Sequence, residues 1–386
     1  MPAEQPAPSC TCFPEDSVVQ AEIESFYQNL PDGEVASGVS VGVVNGVDSS
    51  GDPVITRCYS GYANVKEKRA IKEDTVFEIG STTKTFTATM LAAAVNDGKT
   101  TLDCSAQLVY QQNDKPSVVL PTYTDPITGF PYEMTMLDLA DYTSGISDKS
   151  PTNTKGPNEY KYSMMHEYLK DLGSLSVQPG TEFNYVNTNF GIIAELMMLM
   201  GKFSDYKETL KDLKEKAGLT MNHTGVIESN DPTHHPEHHL AKGYKYNGDE
   251  QKNYALPTWP ALQGAGAIYS TVDDMLEWLQ FNMGLTESPY NVLLPMLQEV
   301  RFPAGKARGE GLGWFISDLK GTKLKLIHKN GGTAGFHSWI GFLPDSTIGA
   351  VVLCNTAMPG SLPINNGSSP VDNLGLAILK ALAQPS

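Results

Sequence analysis

The sequence predicts a mixed α/β fold of the α+β kind, in which an antiparallel β-sheet flanked by helices is built from both ends of the chain. Strand-like segments lie near the N-terminus and again in the last part of the chain, while the middle carries mainly helical patterns. Consecutive short strands with tight turns favour antiparallel pairing, and the intervening helices form a second layer. We therefore predict a flexible N-terminal tail, a two-part sheet domain and an inserted, mainly helical domain, with these bounds: 1–16 for the tail, 17–84 and 265–386 for the sheet domain, and 85–264 for the helical domain.

The elements follow from the spacing of apolar residues. Val19, Ile23, Phe26 and Leu30 repeat with a helical period. The runs "GVSVGVVN" and "PVITRCYSGYANV", separated by Asn-Gly and Gly-Asp turn signals, predict a hairpin. "STTKTFTATMLAAAVNDG" predicts a helix that begins with Ser and Thr and ends at Asp-Gly. Strand character returns in "LGWFISDL", "KLKLIHKN", "HSWIGFLPD" and "IGAVVLCN", and "VDNLGLAILKALAQ" predicts a final helix.

Composition and charge exclude several classes of partner. The 386 residues are 40% hydrophobic and 19% charged, as in globular proteins. A formal net charge of −16 repels phosphate backbones, so we expect no nucleic-acid partner. No apolar run approaches the roughly 20 residues that a membrane-spanning helix needs. We expect a monomer that acts on a small-molecule substrate.

The N-terminal residues and the cysteines leave the compartment open. Residues 1–16 have neither the basic stretch nor the apolar core of a secretory signal. The protein therefore either stays in the cytoplasm or has lost a signal, and of the two we expect an extracytoplasmic location, periplasmic or secreted. The five cysteines are odd in number and too widely spread to indicate a disulfide framework. We expect Cys354 to be a buried thiol in a strand, and Cys10 and Cys12 to lie in a mobile tail.

Three short constellations have the residue types of an acyl-transfer site. Ser81 and Lys84 are three positions apart at the start of a helix, so the lysine amine can reach the serine hydroxyl. The helix start also favours a developing anion. A desolvated lysine beside a second cation has a lowered pKa and can accept a serine proton. The spacing Ser-x-x-Lys also arises by chance, so it needs partners elsewhere in the chain.

The second and third constellations could supply those partners. Tyr185 and Asn187 precede the apolar helix that starts near Phe190, which places a phenol and a carboxamide near one helix N-terminus. In "LIHKNGGTAGFHSWIGF", Lys329 would present a cation at a strand edge. The glycines that follow would allow close approach of a ligand or of another backbone segment, with the N–H of Gly332 facing the cleft. Alone, these segments are equally consistent with a capped helix and a hairpin connection.

Taken together, the segments "FEIGSTTKTFTATML", "PGTEFNYVNTNFGIIAELM", "GAGAIYSTVDDMLEWLQ" and "HKNGGTAGFHSWIGFLPD" resemble the serine β-lactamase and penicillin-binding protein superfamily. The nearest branch contains class C β-lactamases, D-Ala-D-Ala carboxypeptidases and family VIII carboxylesterases. The resemblance runs from about residue 17 to 380, and "TSGI" at 143–146 matches a loop that leads to the cleft. It implies a β-lactamase/transpeptidase-like fold.

The resemblance also implies roles for individual residues. Ser81 would be the acylated nucleophile, Lys84 its proton-transfer partner and Tyr185 the general base and acid, with a phenol pKa lowered by Lys84 and Lys329. The other implied positions are the substrate-amide ligand Asn187, the strand motif Lys329, Asn330 and Gly331, and an oxyanion hole made by the backbone N–H groups of Ser81 and Gly332. No cofactor or metal is implied.

Two positions depart from the family pattern. Asn330 stands where threonine is usual, and Gly332 stands where serine or threonine often follows. Both changes alter the hydrogen bonds available to a substrate carboxylate. Lys329, which many related esterases lack, is retained, and this favours a carboxylate-bearing substrate. β-Lactam amides are therefore the first substrate class expected, with short esters and D-Ala peptides as alternatives.

Two other motifs could suggest a different chemistry. "GVSVG" at 38–42 has the Gly-x-Ser-x-Gly pattern, but a nucleophile elbow needs a strand, a sharp turn and a helix, whereas here a strand continues through Ser40. "HHPEHH" at 234–239 could suggest a metal-dependent hydrolase, but Pro236 breaks a helical arrangement of ligands, so we expect a solvated loop. A further alternative to a hydrolase is a sensor that binds penicillin without hydrolysing it.

Overall fold

The computed structural model describes residues 10–31, 33, 35–147, 160–226, 239–251, 259–302, 308–358 and 369–384. Its strands are β1 (Thr11–Phe13), β2 (Gly38–Val47), β3 (Pro53–Asn64), β4 (Arg69–Ala70), β5 (Phe77–Glu78), β6 (Tyr123–Thr124), β7 (Pro131–Tyr132), β8 (Gly225–Val226), β9 (Tyr244–Lys245), β10 (Ile268–Ser270), β11 (Arg308–Glu310), β12 (Phe315–Asp318), β13 (Lys325–Gly332), β14 (His337–Leu343), β15 (Ile348–Cys354) and β16 (Thr356–Ala357). Its α-helices are α1 (Ser17–Gln28), α2 (Thr83–Asn96), α3 (Ala106–Gln112), α4 (Met136–Ala140), α5 (Tyr162–Leu172), α6 (Asn187–Gly201), α7 (Tyr206–Ala217), α8 (Gln263–Gly266), α9 (Val272–Asn282), α10 (Leu294–Gln298) and α11 (Pro370–Leu382).

One antiparallel sheet joins the two ends of the chain. Its strands follow the order β1, β3, β2, β15, β14, β13, β12, β11, and β4 adds to β3. The central contact pairs β2 with β15, with Val41 opposite Val352. An antiparallel sheet with many helices confirms the predicted mixed α/β class. The division into a sheet domain and an inserted helical domain stays a prediction.

Each face of the sheet is covered by helices. On one face, valines of β2 such as Val41 pack with Ile23 of α1 and Ile378 of α11. On the other face, α9 crosses β2 and β15. A Cβ atom at Gly42 would lie 2.7 Å from Leu276 Cγ, so a side chain there would collide with α9. Because successive side chains of a strand point to opposite faces of the sheet, β2 contributes residues to two separate hydrophobic layers.

Helix α2 is buried on nearly all sides, although it carries four threonines. Its hydroxyl groups are satisfied inside the fold: Thr89 Oγ1, for example, donates to the carbonyl of Thr85 at 2.8 Å. The ring of Phe86 stacks on Trp278 with centroids 3.9 Å apart. A helix buried all round belongs to the interior of a large protein, and this one leads directly from Ser81.

The structure differs from the expected tail at the N-terminus. Residues 1–9 lie outside the described residues, but Thr11–Phe13 forms an edge strand paired with β3. A disulfide joins Cys12 to Cys58, so the expectation that Cys12 lies in a mobile tail was wrong. The spread of the cysteines along the sequence had not indicated this pairing. The side chain of Asp16 then caps α1 by accepting from the N–H groups of Val18 and Val19. Cys354 is a buried free thiol, as predicted.

No helix among the described residues is long and apolar enough to cross a membrane.

Candidate active site

Ser81 lies in a short 3₁₀ helix, Gly80–Thr82, that runs into α2. Gly80 has φ +50°, and a Cβ atom there would lie 2.7 Å from the backbone nitrogen of Gly332. A side chain at this position would therefore be strained and would collide with the end of β13. Glycine is required because the turn that presents Ser81 touches the neighbouring strand backbone.

The Lys84 amine lies one helical turn after Ser81 and has three polar neighbours. Its Nζ is 2.9 Å from Ser81 Oγ, and it donates to Asn187 Oδ1 at 2.8 Å and to the carbonyl of Ala265 at 2.7 Å. Burial lowers the pKa of Lys84 well below its usual value, and the nearby Lys329 lowers it further. A neutral amine has two N–H groups and one lone pair. The two acceptors use the N–H groups, so the lone pair is left for the Ser81 hydroxyl.

Tyr185 lies between the two lysines, just before α6. Its ring centroid is 5.0 Å from Lys84 Nζ and 5.4 Å from Lys329 Nζ, and the ring stacks on Tyr142 at 4.8 Å. Burial raises the pKa of the Tyr185 phenol, while the hydroxyls of Ser81 and Tyr142 act in the opposite direction. The expectation that the lysines lower this pKa was wrong, because desolvation is the dominant cause and raises it. Tyr185 is therefore a neutral phenol in the resting site.

Lys329 is fully buried on β13. Its Nζ donates to the carbonyl of Asn330 at 2.6 Å and lies 3.4 Å from Asn330 Oδ1. It also faces the ring of Phe315 at 4.8 Å. Burial lowers the pKa of Lys329 to about 7, and the carboxylates of Asp372 and Glu310 oppose this shift. The ammonium is thus already engaged by the protein.

The end of β13 is joined to the turn that carries Ser81. A Cβ atom at Gly331 would collide with the carbonyl oxygen of Ile79. Ser338 Oγ on β14 donates to that same carbonyl at 2.7 Å and lies 2.8 Å from Thr82 Oγ1. These contacts hold Gly332 beside Ser81. The two residues predicted for the oxyanion hole therefore belong to segments that touch.

The structure brings the predicted positions together around the C-terminal half of β13, with one exception in orientation. The Asn330 amide does not face Ser81, because it donates to Asp372 Oδ2 on α11 at 2.8 Å. His337 Nε2 lies 2.9 Å from Asp372 Oδ1, and both side chains are buried. The sequence analysis missed Asp372, His337 and the Ala265 carbonyl. No local pattern marks them, since each becomes a neighbour only through the fold.

Of the two competing motifs, the first is fully described and the second only at its last residue. Ser40 is buried in the middle of β2, opposite Leu353, and no helix follows it. This confirms the strand predicted there. Of the histidine motif, residues 234–238 lie outside the described residues, and His239 Nδ1 is 2.8 Å from Asp74 Oδ2. Within the described ranges, the side chains close enough to share a metal ion are Cys10, Cys12 and Cys58, two of which form the disulfide.

The fold is that of the serine β-lactamase and penicillin-binding protein superfamily. The beta-lactamase family model matches residues 23–367, and the chain belongs to that family. It is similar to a beta-lactamase of Escherichia coli (strain K12), with 25% identity over 78% of this chain and 80% of the relative. A beta-lactamase of Pseudomonas fluorescens is 24% identical over 78% of this chain and 85% of its own length. The D-alanyl-D-alanine-carboxypeptidase/endopeptidase AmpH of Escherichia coli (strain K12) is 24% identical over 86% of this chain and 82% of its own length.

Proposed function

We propose that the protein is a serine hydrolase that works through an acyl-enzyme on Ser81, with β-lactam amides as the first substrate class. The observation that carries this proposal is the contact between Ser81 Oγ and the Lys84 amine at 2.9 Å, in surroundings that keep the amine neutral. A neutral amine at this distance is a general base for the hydroxyl.

Acylation begins when Lys84 Nζ takes the Ser81 proton and Oγ attacks the substrate carbonyl carbon. The resulting oxyanion is stabilised by the N–H groups of Ser81 and Gly332, each worth about 3–4 kcal/mol of barrier in such sites. The tetrahedral intermediate collapses as the bond to the leaving group breaks. The proton held by Lys84 passes through the Tyr185 hydroxyl to that leaving group, and the acyl group remains on Ser81.

Deacylation uses the same groups in reverse. Water gives a proton to Lys84 by way of the Tyr185 hydroxyl, and its oxygen attacks the acyl carbonyl. Collapse of the second intermediate breaks the ester bond, returns the proton to Ser81 Oγ and releases the acid. Tyr185 starts and ends each half-reaction as a phenol, in keeping with its raised pKa.

The names of the relatives support two substrate classes. Two of them are called beta-lactamase and one a D-alanyl-D-alanine carboxypeptidase/endopeptidase. The alternatives within the same site are therefore D-Ala-D-Ala peptides and short-chain esters. A non-hydrolytic penicillin-binding sensor would use the same acylation step and then stop.

The test measures hydrolysis of nitrocefin, a D-Ala-D-Ala peptide and p-nitrophenyl butyrate, together with the intact mass of the protein. We expect turnover of at least one substrate and a transient acyl adduct on Ser81. In Ser81→Ala, kcat should fall by about 10³-fold or more, and the acyl adduct should be absent. Full activity in that variant would contradict the proposal, and a stoichiometric burst without turnover would identify the sensor instead.

The proposal includes a monomeric enzyme outside the cytoplasm. The Cys12–Cys58 disulfide supports this location, since such bonds persist in oxidising compartments. Light scattering would test the monomer, and cell fractionation with an antibody would test the location. A dimer, or a protein confined to the cytoplasm with reduced thiols, would contradict these two parts.

A further inference from the structure

A buried acidic residue lies behind the strand edge that faces Ser81. Asp372 is in the first turn of α11 and is 5% exposed. Its Oδ2 accepts from the Asn330 amide at 2.8 Å, and its Oδ1 lies 2.9 Å from His337 Nε2. A helix N-terminus and two hydrogen-bond donors stabilise a carboxylate. Asp372 is therefore a fixed negative charge at this edge.

This charge changes what Lys329 can offer to a substrate. The Lys329 ammonium has no exposed surface, and it already donates to the Asn330 carbonyl. Two carboxylates, Asp372 on α11 and Glu310 on β11, act on it electrostatically. Burial and the charge of Lys329 lower the pKa of the second lysine of the site, Lys84, well below its usual value, which favours its neutral form. Lys329 is thus outnumbered by acidic groups, and the edge of β13 is not a free cationic surface.

The same edge is next to the reacting groups. Lys329 and Lys84 lie against one Tyr185 ring, with Nζ atoms 5.4 and 5.0 Å from its centroid. Gly332, three residues after Lys329, touches the turn of Ser81. A substituent close to the scissile bond would therefore experience the field of Asp372, since charges in a poorly solvated site are weakly screened.

We propose that Asp372 is a specificity-determining residue that makes the cleft favour acyl donors without an anionic group beside the scissile bond. It does so in two ways: it turns the Asn330 amide away from Ser81, and it offsets the charge of Lys329. This inference rests on the proposed Ser81 chemistry and changes the order of its substrate classes: neutral esters and β-lactams without a free carboxylate come before β-lactam acids. It also reverses the expectation, drawn from Lys329 alone, of a carboxylate-bearing substrate.

The test compares matched neutral and anionic substrates. One pair is 3-acetoxybenzamide and 3-acetoxybenzoate, which differ by a charge on the leaving group; the other is a cephalosporin methyl ester and its free acid. We expect kcat/KM to favour the neutral member by about tenfold, the size of effect that one nearby charge produces in a partly desolvated site. Ser81→Ala establishes which part of the turnover belongs to this site.

Two variants separate the charge of Asp372 from its structural contacts. Asp372→Asn removes the charge, and the preference for the neutral substrate should fall by about threefold or more. His337→Gln disturbs the same hydrogen-bond network but keeps the carboxylate, so the preference should remain. Thermal melting of both variants reports whether they fold.

If Asp372→Asn does not fold, the pH dependence of the substrate preference can be measured on the unchanged protein instead. The charged groups that act on Lys329 or are acted on by it are the carboxylates of Asp372 on α11 and Glu310 on β11 and the amine of Lys84 on α2. The Lys329 amine also lies over the ring of Tyr185. Because the pKa of Lys329 is about 7, Lys329 loses its charge between pH 6 and pH 8. The preference for the neutral substrate should therefore increase over this range, and the ratio of the two rates cancels effects common to both.

The outcomes are distinct. Ser81-dependent turnover with equal rates for both members, or with a preference for the anion, overturns the role of Asp372. So does an equal loss of preference in Asp372→Asn and His337→Gln, or a preference of the unchanged protein for the anion at pH 6, where Lys329 is charged. Turnover that survives Ser81→Ala overturns the proposed function itself. So does the absence of turnover of these four substrates together with nitrocefin, the D-Ala-D-Ala peptide and p-nitrophenyl butyrate.

Discussion

At the scale of single residues, the chemistry of the site depends on burial. Lys84 and Lys329 are both fully buried, and both have lowered pKa values for that reason. The sequence could indicate that a lysine follows Ser81 by three positions, because that spacing is local. It could not indicate which side chain stays neutral, since desolvation depends on the whole surroundings. The wrong direction expected for the Tyr185 pKa has the same origin.

The lowered pKa of Lys84 sets a direction for the pH dependence of the reaction. At low pH the amine is protonated and cannot accept the Ser81 proton, so kcat/KM should rise as the pH rises through this pKa. Lys84→Met keeps an unbranched side chain without the amine and should lower kcat by about 10²–10⁴-fold. Rates measured from pH 4 to pH 9 check both statements.

The matched control for this variant is Lys99→Met, which removes an exposed lysine just after α2. It should retain the activity and the pH profile of the unchanged protein. If Lys84→Met were as active as this control, Lys84 would not be the base.

At the scale of elements, the sequence predicted the central strands and helices well because their hydrophobic patterns are long. β1 was missed because three residues are too few for a period to appear, and its pairing with β3 depends on a partner far along the chain. Likewise, α11 was predicted as a helix, but the contact of its first turn with Asn330 follows only from the packing of α11 on the sheet.

The junction between β14 and the turn of Ser81 gives a prediction at this scale. Ser338→Ala removes the donor to the Ile79 carbonyl and the neighbour of the Thr82 hydroxyl. Leaving buried polar groups without partners should cost about 1–3 kcal/mol of the free energy of unfolding. Because the turn then moves relative to Gly332, kcat should fall more than KM rises. Urea denaturation and steady-state kinetics measure the two effects.

Ser346→Ala provides the comparison at a site away from the turn. Ser346 follows β14, is only partly buried and donates to the carbonyl of Leu343. This variant should change both the stability and kcat little. Equal effects of the two substitutions would show that the Ser338 contact does not hold the site.

At the scale of the whole molecule, one buried acid links the stability of the fold to pH. Glu78 on β5 is 2% exposed, and burial raises its pKa to about 8, with Thr333 opposing the shift. The folded protein keeps this proton while the unfolded chain releases it near its ordinary pKa of 4.5. The contribution of protonated Glu78 to the free energy of unfolding is complete below pH 4.5. This contribution is lost as the pH rises through about 8.

Glu78→Gln should therefore become more stable than the unchanged protein as the pH rises. The difference in unfolding free energy should grow by up to about 1.4 kcal/mol per pH unit between the two pKa values. Urea denaturation at pH 5 and pH 8 measures it, with the exposed Glu287→Gln as the control. A difference that does not change with pH would mean that Glu78 is already ionised in the folded protein.

The pairing of β2 with β15 has a consequence for how the protein is made. The two strands come from opposite ends of the chain, and β13, which borders Ser81, reaches β2 only through β14 and β15. During synthesis, Ser81 and its helix leave the ribosome long before the strands that complete their surroundings. The nucleophile therefore has no finished site until almost the entire polypeptide has emerged, and contacts between such distant segments are slow to form. A product truncated before Cys354 would carry Ser81 and Lys84 but lack part of the strand that closes the sheet around them.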